Sequence, residues 1–417
     1  MRINKIRYQL IDNLKTVKAF RPVYIKMKDM ENSRRFSINS VSGCKFLLEE
    51  SEKLRISIVL PTLRKTKVFG GINTALKIFT SLVNACDADG RILVLNDEKG
   101  GSKWEYPVAG YGVDNAVRNI SYLPQKESIP IRRKEVIVFT NWRTAFTFSP
   151  LFKWREEVCG DKNFKAVYLI QDYEPGFYPW STEYALAEST YSQYQDSIIA
   201  MINSRQLYDF MKQRKYSFYK MMYFDPMLND TLKEKIDLYR GTKKRKKQIL
   251  IYGRPSESRN AFEIIRFSLQ QWSESYPGAG EWEIFSLGED FGDIKLKNNT
   301  IHSKGKVSLD EYARIMGETY AGISLMISPH PSYPPLEMST FGVRTITNCY
   351  ENKDLGSFND NIVSIQTCSP EIIVDTLTGL CNEYEEHISD TAVNEGYYYN
   401  DTMANCIEEI REYIKNI

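Results

Sequence analysis

The chain has 417 residues, of which 42% are apolar and 26% charged, and its formal net charge is +2. That length leaves room for two domains of ordinary size, and the apolar content excludes the disordered class. So small a net charge supplies no global field to attract nucleic acid.

No apolar run approaches the length of a membrane span, and the N-terminus lacks a signal-peptide core. Seven Cys without CxxC spacing suit a reducing, cytoplasmic setting. The three His, His302, His330 and His387, are too few for a His-rich metal centre, and no GxSxG elbow signals a serine hydrolase. No metal is therefore expected. The 27 Tyr are abundant, but most such side chains pack cores, so they argue little by themselves.

In chain order, the first 35 residues carry ten Lys or Arg against three acids, with Ile6, Leu10, Ile11, Leu14 and Val17 at helical spacing. A basic amphipathic segment of this kind either rests on an anionic membrane surface or packs on the body or a second subunit. Leu54–Leu60 reads as the strand that opens a parallel α/β domain. A basic loop, Arg64–Lys67, follows it, then Gly70-Gly71 ahead of a helix at Ile72–Val83. Paired glycines let a backbone approach a ligand closely. The pattern is neither GxGxxG nor a Walker loop.

Further strands are expected at Arg91–Leu95, Glu135–Thr140, Ala166–Ile170 and from Met201, with helices between some of them. Asp87-Ala88-Asp89 precedes Gly90 and reads as turn chemistry, not as a divalent-metal site. Ligands in parallel sheets bind beyond the carboxyl ends of the strands. Asp172 follows directly on such an end and should face a cleft. Leu238–Gln248, with six Lys or Arg among eleven residues, reads as an exposed linker between domains.

A second domain opens with the strand Ile249–Tyr252 and Gly253-Arg254-Pro255, then Ser258-Arg259-Asn260 at a helix start. Arg254 and Arg259, at a strand end and a helix start, can clamp a diphosphate by forked charge-assisted bonds. Trp282–Gly288 is the next strand, and the turn carrying Lys306 precedes the helix Leu309–Gly317. The strand Ala321–Ile327 then runs into SPHPSYPPLEMSTFG (328–342), where Pro334 and Pro335 mark a helix start. Leu336 and Glu337 are expected to begin that helix, Gly342 to end it, and the exposed N-terminus forms an anion site. In the alternative reading, Glu337 only complements the helix dipole. Met403–Ile417 is expected to be an amphipathic helix.

These features together resemble the GT-B glycosyltransferases, with the retaining family 4 nearest in class. The resemblance runs through residues 54–417. VLPTLRKTKVFGGINTALKIF, YLIQDYEPGFYP and IYGRPSESRNAFEII bring it closest to the bacterial rhamnosyltransferases of S-layer polyrhamnan assembly. It implies an α/β fold of two Rossmann-like, doubly wound domains facing across a cleft. The expected segments are a basic helical one at 1–50, an acceptor domain at 51–240, a donor domain at 241–400 and a helix at 401–417 that returns to the first domain.

By the same resemblance Glu337 holds the ribose hydroxyls of a nucleotide sugar, with Leu336 beside it, and the amides around Ser332 and Tyr333 meet the diphosphate. Arg254 and Arg259 bind phosphate, Lys306 reads the base, and Gly70 and Gly71 lie beneath the diphosphate. Asp172 orients or deprotonates the acceptor. Eight residues before Glu337 the family expects a second glutamate, and Pro329 stands there, which is compatible with a 6-deoxy sugar.

The implied reaction is metal-free transfer of L-rhamnose from dTDP-β-L-rhamnose, with retention, to a lipid-linked rhamnan. A homodimer and a peripheral membrane contact through the basic N-terminus complete the expected partners. The alternatives are a non-catalytic nucleotide- or glycan-binding subunit of the same fold and a transferase for another nucleotide sugar.

Overall fold

The computed structural model describes residues 43–63, 70–95, 120–122, 128–239, 245–385 and 394–415. The basic segment 1–35 and the loop Arg64–Lys67 lie outside the described residues. Short runs of consecutive apolar residues pair in parallel when both faces of the sheet are covered. The chain is built from two such sheets.

A small ribbon of β1 (Lys45–Glu49) and β5 (Ser128–Arg132) stands beside the first sheet. That sheet contains β2 (Arg55–Leu60), β3 (Asp89–Val94), β4 (Ile120–Tyr122), β6 (Glu135–Phe139), β7 (Ala166–Ile170), β8 (Ile198–Asn203) and β9 (Lys220–Phe224). All are parallel, in the order β4-β3-β2-β6-β7-β8-β9. Every residue of β2, β6, β7 and β8 is buried.

The second sheet takes β10 (Lys246–Gly253), β11 (Glu283–Gly288), β12 (Ile294–Lys295), β13 (Thr300–Gly305), β14 (Thr319–Ile323), β15 (Arg344–Asn348) and β16 (Ile362–Ile365). Their order is β12-β13-β11-β10-β14-β15-β16, with only β12 antiparallel. Strand order reverses between β2 and β6 in one sheet and between β10 and β14 in the other. Those reversals place a crevice at the carboxyl ends of each pair.

The opposite end of the first sheet is closed by charge. Glu135, at 1% exposure, accepts from Arg55 (2.7 Å), Arg91 (2.5 Å), the Ser57 hydroxyl (2.6 Å) and the Arg132 amide (2.8 Å). A buried carboxylate is tolerable only with its oxygens satisfied in this way. Asp89 is likewise consumed by Lys53 at 2.6 Å and Arg132 at 2.8 Å.

The chain crosses between domains twice, and the crossing differs from the boundary expected at 240. The helix Asp230–Tyr239 packs with the second domain, placing Leu232 and Ile236 in one core with Ala313 and Met316. The Gly317 α-carbon lies so close to Tyr239 that a Cβ there would overlap the ring. Gly317→Ala is accordingly expected to destabilise the fold by about 1–3 kcal/mol, measured by urea unfolding.

The linker expectation also needs correcting. Arg245 is buried and donates to the carbonyls of Met316, Thr319 and Phe341, so the sheet begins where exposed chain was expected. Residues 240–244 lie outside the described residues.

On the way back, Leu228 N bonds Tyr397 O at 3.1 Å, which holds the two crossover segments together. The helix Thr402–Ile414 then buries Cys406, Ile407, Ile410 and Ile414 in the first domain's core. No helix among the described residues is long and apolar enough to cross a membrane.

Candidate active site

Two strand ends of the second domain and the turn after the first of them supply cations. Arg254 follows β10, and Gly288, at φ 119°, ends the neighbouring β11. A Cβ on Gly288 would stand 2.8 Å from Gly253 O and 3.1 Å from Arg254 Cγ, so glycine there lets the arginine lie across the strand ends. Glu257 bonds both arginines, Arg254 at 3.2 Å and Arg259 at 2.6 Å. Lys306 follows β13. Partial burial first, then the like charge of Arg254, lower its pKa. A cluster of cations held this close makes a site for an anion.

The turn after β14 brings in the rest. The expected strand Ala321–Ile327 ends at Ile323, because Asn348 satisfies the backbone from Met326 by side-chain bonds. The expected helix start at Leu336 also moves. The helix runs Tyr333–Thr340, with both prolines inside its first turn, where amides lack partners anyway. Glu337 therefore stands one turn in, beyond the first turn of the helix.

The Ser332 amide donates to His330 Nδ1 at 3.0 Å, which leaves the Tyr333 amide as the one without a helical role. Leu336 is buried in the second domain's core. Burial pushes the Glu337 carboxyl up to about 7, against a hydrogen bond from Tyr312 that pulls it down.

The first domain faces this arrangement. Asp172 is buried at the end of β7. Its Oδ1 accepts from its neighbour's amide at 2.8 Å and from the Ser328 hydroxyl of the other domain, and its Oδ2 lies 3.6 Å from Arg259 Nε. The Arg259 guanidinium stacks over Phe177 of the first domain at 4.2 Å. Asn203, at the end of β8, donates to the Tyr333 hydroxyl at 3.2 Å.

Gly70 and Gly71 are the first two residues of the helix Gly70–Ala85, not a loop ahead of it. A Cβ on Gly71 would meet Gln171 Oε1 at 3.0 Å, while Gly70 has open space around it. Among the described residues no group of three or more His, Cys, Asp or Glu side chains is arranged to hold a metal ion.

Of the residues singled out in the sequence, Arg254, Arg259 and Lys306 stand in one cationic group, Tyr333 and Glu337 share one helix, and Asp172 meets Arg259 across the cleft. The sequence reading overlooked several others. Glu174 accepts from the Trp142 amide at 2.5 Å, and burial raises its pKa to about 8, helped by the Asp172 charge. Lys353, with no exposure, has Nζ on Met326 O at 2.5 Å, and burial lowers its pKa to about 8. His330 is buried in the Ser328–Ser332 turn. Only a carboxylate two residues past Asp172 and a histidine between two prolines could have signalled the first and the last.

Comparison with known proteins agrees with this geometry. Residues 55–205 match the family model "WsaF, N-terminal domain" and residues 247–378 match "WsaF, C-terminal domain". The O-antigen biosynthesis protein RfbC of Myxococcus xanthus is 30% identical over 190 residues, 43% of this chain but 14% of that relative's own length.

Among solved structures, HepE of Anabaena in complex with UDP and glucose has a TM-score of 0.57 at 9% identity, covering 87% of this chain and 100% of that one. Sucrose-phosphate synthase from Thermosynechococcus elongatus gives 0.56 at 10% identity, covering 88% and 100%. Such low identities speak for the fold alone. With its two halves matched in order, the chain belongs to the WsaF family, and its two Rossmann-like domains meeting at a cleft have the GT-B fold.

Proposed function

We propose that this glycosyltransferase moves L-rhamnose from dTDP-β-L-rhamnose to a growing, lipid-linked rhamnan, with retention, in cytoplasmic assembly of a surface glycan such as that of an S-layer. The observation that carries the reading is the Arg254–Arg259–Lys306 group beside the Tyr333–Thr340 helix N-terminus, opposite the Asp172 carboxylate. Departure of the sugar leaves its bonding electrons on the diphosphate. Fixed cations and an aligned helix end stabilise that charge without reorganising, and no metal is needed. The acceptor hydroxyl forms the new bond to the anomeric carbon and gives up its proton as it does so, with Asp172 orienting that hydroxyl or taking the proton.

Calorimetric titration with dTDP, UDP and GDP, without metal and then with EDTA, tests the proposal. Selective, chelator-insensitive binding of dTDP supports it. Preference for UDP or GDP removes rhamnose as the sugar, and binding without turnover would make the chain a non-catalytic subunit.

Glu337 adds a pH dependence. Ribose hydroxyls donate to its ionised form, which at a pKa of about 7 grows from a minor to a major fraction between pH 6 and pH 8. Nucleotide affinity should rise by up to about tenfold over that range, and Glu337→Gln should remove this component. Tyr252 and Tyr312, which also face the carboxyl, are both raised and do not titrate there. The stability effect has the opposite sense. The folded protein holds a proton on Glu337 that an unfolded carboxyl, with its value of 4.5, has lost, so this contribution falls as pH rises from about 4.5 and is spent above about 7.

A further inference from the structure

We propose that His330 is a specificity-determining residue whose Nε2–H donates a hydrogen bond to an oxygen of the transferred sugar, where Pro329 leaves the loop without a carboxylate. This rests on the reading of the second domain's crevice as the donor site.

The tautomer follows from the backbone. Ser332, held at φ 70°, aims its amide at His330 Nδ1 at 3.0 Å, so that nitrogen is bare and accepting. In a neutral imidazole the proton must then sit on Nε2. Burial pushes the ring's pKa down to about 4. The Asp172 charge opposes the shift, and the charges of Lys353 and Arg259 reinforce it. The ring thus stays neutral at ordinary pH and presents one fixed donor.

That donor has no hydrogen-bond partner among the described residues, although His330 is 5% exposed and the nitrogen is fully enclosed. Leaving a buried donor unmet is costly, and such a cost persists where a ligand removes it. Other enclosed polar atoms at the domain boundary lack partners among the described residues as well, two of them beside Asp172 and Tyr333. These two are Arg259 Nε, beside Asp172, and Asn203 Oδ1, whose amide nitrogen reaches Tyr333. Donors and an acceptor left open on both sides of one crevice describe a polar, uncharged guest.

Position identifies which part of the donor this is. Arg254 and Lys306 lie at the ends of β10 and β13 of the second domain. His330 instead hangs on the contact between domains, because its amide donates to Ser328 Oγ at 3.1 Å and that hydroxyl donates to Asp172. The sugar lies between the diphosphate and the acceptor, so it occupies the place where the two domains meet. A carboxylate there would select sugar hydroxyls as donors, whereas a neutral N–H selects their lone pairs.

The test separates the two ring nitrogens. His330→Asn keeps an oxygen at the δ position to accept from Ser332 but does not reach the ε position. His330→Gln reaches the ε position with an N–H and leaves the Ser332 amide unmet. Full-length wild type and both variants are titrated with dTDP and dTDP-β-L-rhamnose, and in parallel with UDP and UDP-glucose.

His330→Asn is expected to bind the free nucleotide within about twofold of wild type and to lose about tenfold in affinity for the sugar nucleotide. His330→Gln is expected to keep most of the sugar's advantage. An unchanged ratio of sugar nucleotide to nucleotide in His330→Asn, or equal loss of both ligands, would overturn the proposal and leave His330 as a loop support. A wild-type preference for UDP-glucose would sink the rhamnose reading alone. The His330 ratio is then read on the uridine pair.

Discussion

Arg254→Ala is expected to weaken nucleoside diphosphate binding by about two orders of magnitude while leaving the fold intact. A hydrogen bond to a charged group contributes about 1.5–3 kcal/mol, and a forked guanidinium can make two of them to one diphosphate. Arg259 shares the same Glu257 and can move part of its charge into the gap, so the net loss is about 3 kcal/mol, roughly a hundredfold.

The fold should tolerate the change, because Arg254 is only partly buried and its ion pair with Glu257 is long, at 3.2 Å. Arg254→Lys keeps the charge without the fork and should fall between the two. Arg266→Ala, which breaks an exposed pair with Glu263 at 2.8 Å, is the control and should bind as wild type. Calorimetry with dTDP reads all three. Affinity within about threefold of wild type in Arg254→Ala would remove this arginine from the site.

The central strands of the first sheet could be read from the sequence because they are nearly continuous apolar runs. Ala166–Ile170 is buried at every position and coincides with the strand, since apolar residues of this kind have no other way to hide both faces. Less of the connecting chain could be read. Leu238–Gln248 looks like an exposed linker by charge. Yet the Arg245 guanidinium is paired with three carbonyls inside the second domain, a long-range arrangement that no local pattern encodes.

The helix at Tyr333 was displaced for a similar reason. Prolines signal a helix start but not which position of the first turn they occupy. At the site, residues placed by a strand end and a following turn were legible, as with Arg254 and Asp172. Glu174, Lys353 and His330 were not, because their roles depend on what the other domain brings to them. Charge pairing across a cleft has no spacing in one dimension.

Asp172→Ala should then separate chemistry from binding more sharply than any other change in the cleft. The carboxylate touches both Arg259 and Ser328, and its charge acts on Lys353 and His330 as well. Removing it leaves the second domain's crevice more positive, so affinity for a diphosphate should hold or tighten.

Turnover should fall by about 10²–10⁴, the range for losing a positioned group that orients or accepts a proton. The conservative variant distinguishes how the loss arises. Asp172→Asn retains an oxygen to accept from the Tyr173 amide and the Ser328 hydroxyl but gives up the charge beside Arg259. If Asp172 acts by its charge or as a proton acceptor, Asn should be as slow as Ala. If it acts by holding the Ser328–Ser332 turn against the first domain, Asn should recover most of the rate.

Turnover is read as release of dTDP from dTDP-β-L-rhamnose with a rhamnoside acceptor, and binding by calorimetry on the same preparations. Near-normal turnover in Asp172→Ala would take this residue out of the reaction. Glu174 would then be the remaining carboxylate at that strand end, with one oxygen held by Trp142 and its pKa already raised to about 8.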